Sequence, residues 1–333
     1  MLRRENIIYR LISAVVFTAL TILMPTSCDI YDDLPSCPHG VNLRLVFDYN
    51  MEFANAFPSK VDCYVLYIYD DQGNFVKSYS EEGDKLCDED YRLKVDLPHG
   101  KYHFVVYGGM TCSDASFSPV SVPAQGTKLS ELQVKLHHQN LISDQPLHDL
   151  FHGDMDITVE GDLYRDYTIH LMRNTNNIRV LLQQLDGAAV PMNEFSLCIT
   201  DDNSLLDAAN TPIPNGLLTY LPWKAGVTDA KKRSESDDVN VGFAEFSTSR
   251  LCVQNENRLI VRRKADNREI LTIPLNKYLL LLKSERYEKM DSQEFLDRES
   301  DWSLIFFLDS GCRWINTHFV VNNWVVRLDN VDF

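Results

Sequence analysis

Apolar and polar residues alternate with a period of two along most of this chain, in short runs separated by turn chemistry. VNLRLVFDY (41–49) sets Val41, Leu43, Leu45, Phe47 and Tyr49 on one face. VDCYVLYIYD (61–70) is rich in Tyr, Val and Ile, ends at the polar turn DDQGN (70–74), and FVKSY reads as its returning strand. YRLKVDL (91–97) alternates again, PHGK turns, and YHFVVYGG (102–109) comes back, with ELQVKL, MDITV and YTIHLMR as three further strands. Near residue 173 the pattern resets at RNTNN, a polar punctuation, and a second series follows: NIRVLLQQL, FSLCIT, GLLTYLPW, VGFAEFSTSRL, NRLIVRR and REILTI. The charged stretch TDAKKRSESDD (228–238) has no apolar period and reads as an exposed loop. IPLNKYLLLLKSE (273–285) looks helical, and DSQEFLDRE (291–299) carries a capping-box pattern, Asp291 with Glu294 three residues later. WSLIFFLD, WINTHFVV and NWVVRLDNV then close the chain as strands. Strands at this spacing predict an all-β fold of antiparallel β-sandwich type, with one or two short helices in the second part. The expected division is an N-terminal domain over 41–173 and a C-terminal one over 174–333.

The first residues break the pattern. LISAVVFTALTILM (11–24) is a short apolar run preceded by Arg3, Arg4 and Arg10 and followed by the small residues Thr26 and Ser27. It is too short to span a bilayer and has the anatomy of a secretory signal, predicted here as residues 1–27. Cys28 comes next, and the site resembles a bacterial lipobox, although Pro25 stands where that pattern prefers Leu. Acylation at Cys28 would leave residues 28–40 as a tether, each buried methylene adding about 0.8 kcal/mol of membrane affinity. Asp29, Asp32 and Asp33 resemble the acidic export signal of Bacteroidetes surface lipoproteins, and read equally well as a solvated acidic spacer.

Charge and candidate chemistry narrow the function. The 333-residue chain carries a formal net charge of -16, which argues against nucleic acid and anionic lipid surfaces as partners. Of the eight cysteines, Cys28 is the lipid candidate, and the other seven are odd in number, so at least one thiol stays unpaired. Cys37, Cys63, Cys87 and Cys112 lie in the first half and could pair among themselves in three ways; buried free thiols are the alternative. His137, His138, His148 and His152 gather in one stretch with Asp144, Asp149 and Asp154, but show no HExxH and no third ligand at a telling distance, so no metal and no cofactor is expected. No GxSxG, phosphate loop or activated nucleophile is visible, and the chain is not expected to be an enzyme. YGGM (107–110) reads as a strand end or a close backbone approach, and YVLYIY as strand packing. The last strand alternates Trp324, Val326 and Leu328, and a terminal apolar strand either completes its own sheet or is lent to a neighbour.

Taken together, SCDIYDDLPSCPHGVNLRLVFDYNMEFANAFPSKVDCYVLYIYDDQGNFV, LPHGKYHFVVYGGM, MRNTNNIRVLL, DSQEFLDRES and VNNWVVRL resemble the Bacteroidetes fimbrial anchor-subunit family, often called FimB-like. The resemblance spans essentially all of the mature chain. It implies two transthyretin-like β-sandwich domains and an outer-membrane, surface-exposed lipoprotein that holds the base of a type V pilus and limits its length. The implied partners are fimbrial pilin subunits and, through the lipid on Cys28, the membrane. Pilins of that system are trimmed after Arg and receive a neighbour's strand in the vacated groove; by implication the anchor is not trimmed. Trp324, Val326 and Leu328 are the expected pilin-contact strand. The alternative is a non-polymerising surface lipoprotein or adhesin that binds glycan or host protein through its loops.

Overall fold

A computed structural model describes residues 39–230, 239–321 and 324–327, and strands make up about half of these. One seven-stranded sheet comes wholly from the first half. Its spatial order is β3 (Phe75–Glu82), β2 (Cys63–Asp70), β5 (Gly100–Gly108), β9 (Phe151–Val159), β10 (Tyr164–Arg173), β1 (Gly40–Tyr49) and β4 (Leu93–Asp96). A six-stranded sheet comes wholly from the second half, in the order β15 (Lys224–Ala230), β16 (Val239–Thr248), β11 (Asn176–Gln184), β19 (Asp301–Leu308), β20 (Trp314–Val321) and β21 (Trp324–Arg327). Two smaller sheets draw on both halves. One runs β18 (Arg268–Pro274), β17 (Arg258–Arg263), β12 (Phe195–Asp201), β14 (Leu218–Tyr220) and β8 (Ile142–Ser143). The other runs β13 (Leu205–Asp207), β7 (Gln133–Leu136) and β6 (Phe117–Pro119). The fold is thus all-β, as the period-two pattern predicts.

Not every pairing is antiparallel. β1 lies parallel to β10, β11 to β19, and β14 to β8. A period of two places side chains on alternate faces whichever way the neighbour runs, so alternation predicts strands but not their mutual direction. The two expected helices of the second half form. They are preceded by a short α1 (Phe57–Lys60) in the first half, which the sequence pattern does not single out. α2 covers Leu275–Leu280 and α3 covers Ser292–Arg298. Asp291 caps α3 by accepting from the N–H groups of Gln293 (2.8 Å) and Glu294 (3.3 Å), while Glu294 turns instead to Arg298 at 2.7 Å. The stretch read as a loop over 228–238 begins as strand: β15 runs to Ala230, and 231–238 lie outside the described residues.

The layering explains why YVLYIY is apolar at every position. Tyr64, Leu66 and Ile68 face one core with Phe104, Val106 and Leu45, while Val65, Tyr67 and Tyr69 face a second with Val105 and Tyr107. A strand buried on both sides has no polar face to show. The second core is continuous through Ile178, Phe246, Leu304 and Trp302, so it fills the space between sheets of both halves.

The punctuation RNTNN is the main surprise. Read in sequence as a polar punctuation at the pattern reset, it is nonetheless interior: Arg173, Asn174, Thr175 and Asn176 are all buried. Each is held by specific partners. Arg173 meets Asp149 at 2.8 Å, and Thr175 donates to the same carboxylate at 2.7 Å. Asn174 and Asn210 exchange two amide hydrogen bonds, at 2.6 and 2.8 Å, and the Trp302 indole N–H donates to Asn176 Oδ1 at 3.0 Å. Buried polar groups persist only when paired, and here the pairs tie β10 and β11 to segments distant in sequence. Gly109 adds a close approach nearby. It sits at φ +78°, and a Cβ there would lie 1.8 Å from the carbonyl oxygen of Asp149, which fits the reading of YGGM.

Candidate interaction edge

The site that bears on function is built at the end of the six-stranded sheet. β19 is strongly apolar because it lies inside, parallel to β11 and antiparallel to β20. Between them the chain reverses over Asp309–Arg313. Asp309 Oδ1 accepts from the N–H groups of Gly311 (2.9 Å) and Arg313 (2.8 Å), and its other oxygen accepts from Arg313 Nε at 2.8 Å. These bonds, the Arg313 backbone N–H first, hold the Asp309 carboxyl below its ordinary pKa, so the turn stays charged and closed at neutral pH. Cys312 takes a left-handed conformation (φ 55°), and burial pushes its thiol pKa up, which leaves a protonated, unreactive group accepting from Gln184 Nε2 at 3.2 Å. Past the turn, Trp314 pairs with Leu308 in register and packs edge-on against Phe306, with ring centroids 6.3 Å apart.

β20 then hairpins into β21, with Val321 opposite Trp324, Val320 opposite Val325, Phe319 opposite Val326, and His318 opposite Arg327. β21 is the last strand of the sheet, and among the described residues nothing pairs with its outer side. The opposite edge is β15. A two-stranded tip with one open side offers a row of backbone donors and acceptors to another chain's strand.

Of the expected site residues, Trp324 and Val326 therefore lie on an edge strand that pairs with its own sheet on one side, and Leu328 lies outside the described residues. Cys28, Asp29, Asp32 and Asp33 also lie outside them, as does Cys37. Cys63 and Cys112 form a disulfide with Cα atoms 5.6 Å apart, while Cys87, Cys198, Cys252 and Cys312 are free thiols.

The histidine-rich stretch does not converge. His148 sits between Asp62 (3.2 Å) and Asp114 (3.3 Å) at the surface. His152 is buried with its Nε2 3.3 Å from the Ala208 carbonyl, and burial lowers its pKa to about 4. Asp149 is committed to Arg173. The described residues bring together Asp62, Cys63 and Cys112 as potential metal ligands, but those cysteines are spent in the disulfide.

Sequence reasoning missed what pins the helical segment against the rest. Arg298 stacks over Tyr49 (3.9 Å) and Phe53 (4.6 Å), and Arg250 pairs with the buried Asp297 at 2.7 Å. A charged residue every few positions carries no such signal, because its partners lie far away in the chain.

Comparison with known proteins places these features. The profile of the fimbrillin-A associated anchor proteins Mfa1 and Mfa2 matches residues 34–330. No curated protein matches the sequence. The crystal structure of a proposed adhesin from Bacteroides thetaiotaomicron is 49% identical, with a TM-score of 0.84 over 89% of this chain and 100% of that one. A second protein of that organism, described as a candidate polysaccharide-binding protein, is 29% identical, with a TM-score of 0.76 over 87% of this chain and 98% of its own. The fimbrial anchor protein Mfa2 of Porphyromonas gingivalis shares the fold, with a TM-score of 0.69 over 87% of this chain and 99% of its own at 15% identity.

Proposed function

The chain belongs to the family of fimbrillin-A associated anchor proteins Mfa1 and Mfa2, and from that premise we propose that it is a non-enzymatic outer-membrane lipoprotein that anchors the base of a type V pilus and limits its length. In this reading Cys28 carries the acyl chains, Asp29, Asp32 and Asp33 direct the chain to the outer face, and 41–173 and 174–333 act as its two domains. The buried seam at 173–176 suits an anchor, since tension from a fibre would pass through paired, desolvated groups rather than through a hinge.

The observation that carries the proposal is the β20–β21 hairpin at the sheet's end, open on its outer side among the described residues. A pilin whose sheet lacks a strand would pair with β21, with Trp324, Val326 and Leu328 supplying alternate side chains to its groove. The test is capture of detergent-solubilised pilin subunits by the immobilised chain. Replacing Trp324, Val326 and Leu328 together by Ser should lower capture at least about tenfold, a loss of about 1.4 kcal/mol. Equivalent changes at Lys224, Gly226 and Thr228 on the opposite edge should not. Equal capture by both variants would refute the edge assignment.

A further inference from the structure

A cleft on the face of the six-stranded sheet has no part in the anchoring reading. It encloses about 410 Å³, toward the small end of the about 300–1,000 Å³ typical of small-ligand sites. Asn177 and Arg179 of β11 form its middle. Glu245 of β16 lies across from Arg179 on one side and Ser303 of β19 on the other, while Asp301 lies across from Asn177. Trp223, just before β15, closes one end. Its indole is 40% exposed, whereas Trp302 at the base of the cleft is only 2% exposed.

The polar groups are positioned but not saturated. The backbone at Trp223 is fixed by its N–H, which donates to the Glu245 carbonyl at 3.0 Å, and both residues line the cleft. Arg179 approaches Glu245 only to 3.7 Å, too long for a good hydrogen bond. Its guanidinium lies 5.7 Å from the Phe243 ring, a stacking distance that orients the fork without using its N–H groups. Asp301 accepts from Asn177 at 2.9 Å and, through its other oxygen, more loosely from Arg173 at 3.4 Å.

The chemistry selects the ligand. An apolar guest would strip water from two carboxylates and a guanidinium and return nothing, at a cost of several kcal/mol. An anionic guest would have to compete with Glu245 and Asp301 for the cations that already face them, Arg179 and Lys224 beside Glu245 and Arg173 on Asp301, on a chain of net charge -16. A neutral sugar ring matches both parts: its C–H face lies on an exposed indole, and its vicinal hydroxyls, each donor and acceptor, suit carboxylate, amide and guanidinium forks. We propose that this cleft binds a neutral saccharide, with Trp223 as the stacking platform and Asn177, Arg179, Glu245 and Asp301 as hydroxyl partners. The inference does not rest on the pilus role, because the cleft and the β21 edge are different surfaces of the sheet.

Saturation-transfer NMR and calorimetry on the detergent-solubilised full chain test it, with cellobiose, maltose, lactose, mannobiose and diacetylchitobiose as probes and methyl glucuronide as the acidic control. At least one neutral disaccharide should bind with a dissociation constant between about 0.1 and 10 mM, and the glucuronide should not. Trp223→Ala should weaken that binding at least about tenfold and Trp223→Tyr no more than about threefold, with unchanged circular dichroism. Three results would each overturn the proposal: no neutral probe binding at about 20 mM, binding undiminished in Trp223→Ala, or binding of the glucuronide alone.

Discussion

Replacing Asn174 by Ala tests whether the polar seam between the two halves is a fastening or a spacer. Asn174 is fully buried, and its side chain exchanges hydrogen bonds of 2.6 and 2.8 Å with Asn210, itself 2% exposed. Each bond contributes about 1 kcal/mol net, and the partner amide left unpaired costs about 1–3 kcal/mol more, so the variant should lose about 3–5 kcal/mol. Asn210→Ala should lose a similar amount, plus about 1 kcal/mol because Ala lacks the short polar side chain that lets Asn adopt φ 63°. The double variant has no pair left to break. Its loss should therefore fall short of the sum of the singles by about 2 kcal/mol, and the backbone strain cancels in the cycle. Urea unfolding of a soluble form lacking residues 1–28, followed by far-ultraviolet circular dichroism with matched m-values, measures all four corners. A coupling below about 0.5 kcal/mol would mean that the two amides act independently, and the seam would then be an ordinary linker.

Removing the disulfide by Cys63→Ser with Cys112→Ser opens a loop with a sequence separation of 49, which chain entropy values at about 4 kcal/mol; a drop under about 1 kcal/mol in urea unfolding would contradict this. Two buried groups should oppose each other in acid. Burial lowers the His152 pKa to about 4, so its stabilising share is complete above about 6.5 and is lost as pH falls toward 4, by about 3 kcal/mol. Burial raises the Asp201 pKa to about 6, so its share is complete below about 3.8 and is lost as pH rises through 6, again by about 3 kcal/mol. The two nearly cancel between pH 4 and 6. On acidification from pH 7 to 4, His152→Gln should gain stability relative to the parent and Asp201→Asn should lose it, and parallel curves for all three proteins would refute the assignment.

Much of the strand content was legible in sequence because a half-buried strand must alternate, as 41–49 and 91–97 do. β2 was legible for another reason: its residues are apolar at nearly every position, and burial on both faces accounts for that. The short strands β6, β8 and β13 escaped because two or three residues carry no period. β15 escaped because Thr228 and Asp229 open the charged stretch read as a loop over 228–238, and an edge strand of polar composition is protected against unwanted pairing. The burial of 173–176 escaped for a sharper reason. Polar residues signal exposure only when their partners are unknown, and Asp149, Asn210 and Trp302 lie too far along the chain for any local pattern to supply them. The closing hairpin was visible as alternation from 314 onward, but its place at the sheet's end depends on the parallel β11–β19 pairing, which alternation does not encode. The saccharide cleft was invisible for the same reason: Trp223, Arg179, Glu245 and Asp301 meet only through strand register.

The central claim is that this chain holds a fibre to the cell, and deleting its gene tests that most directly. Fibres should then shed into the medium or grow longer than in the parent strain, and a chromosomal Cys28→Ala allele should give the same result while the protein itself leaves the membrane fraction. Fibres of normal length that stay on the deleted cells would contradict the account.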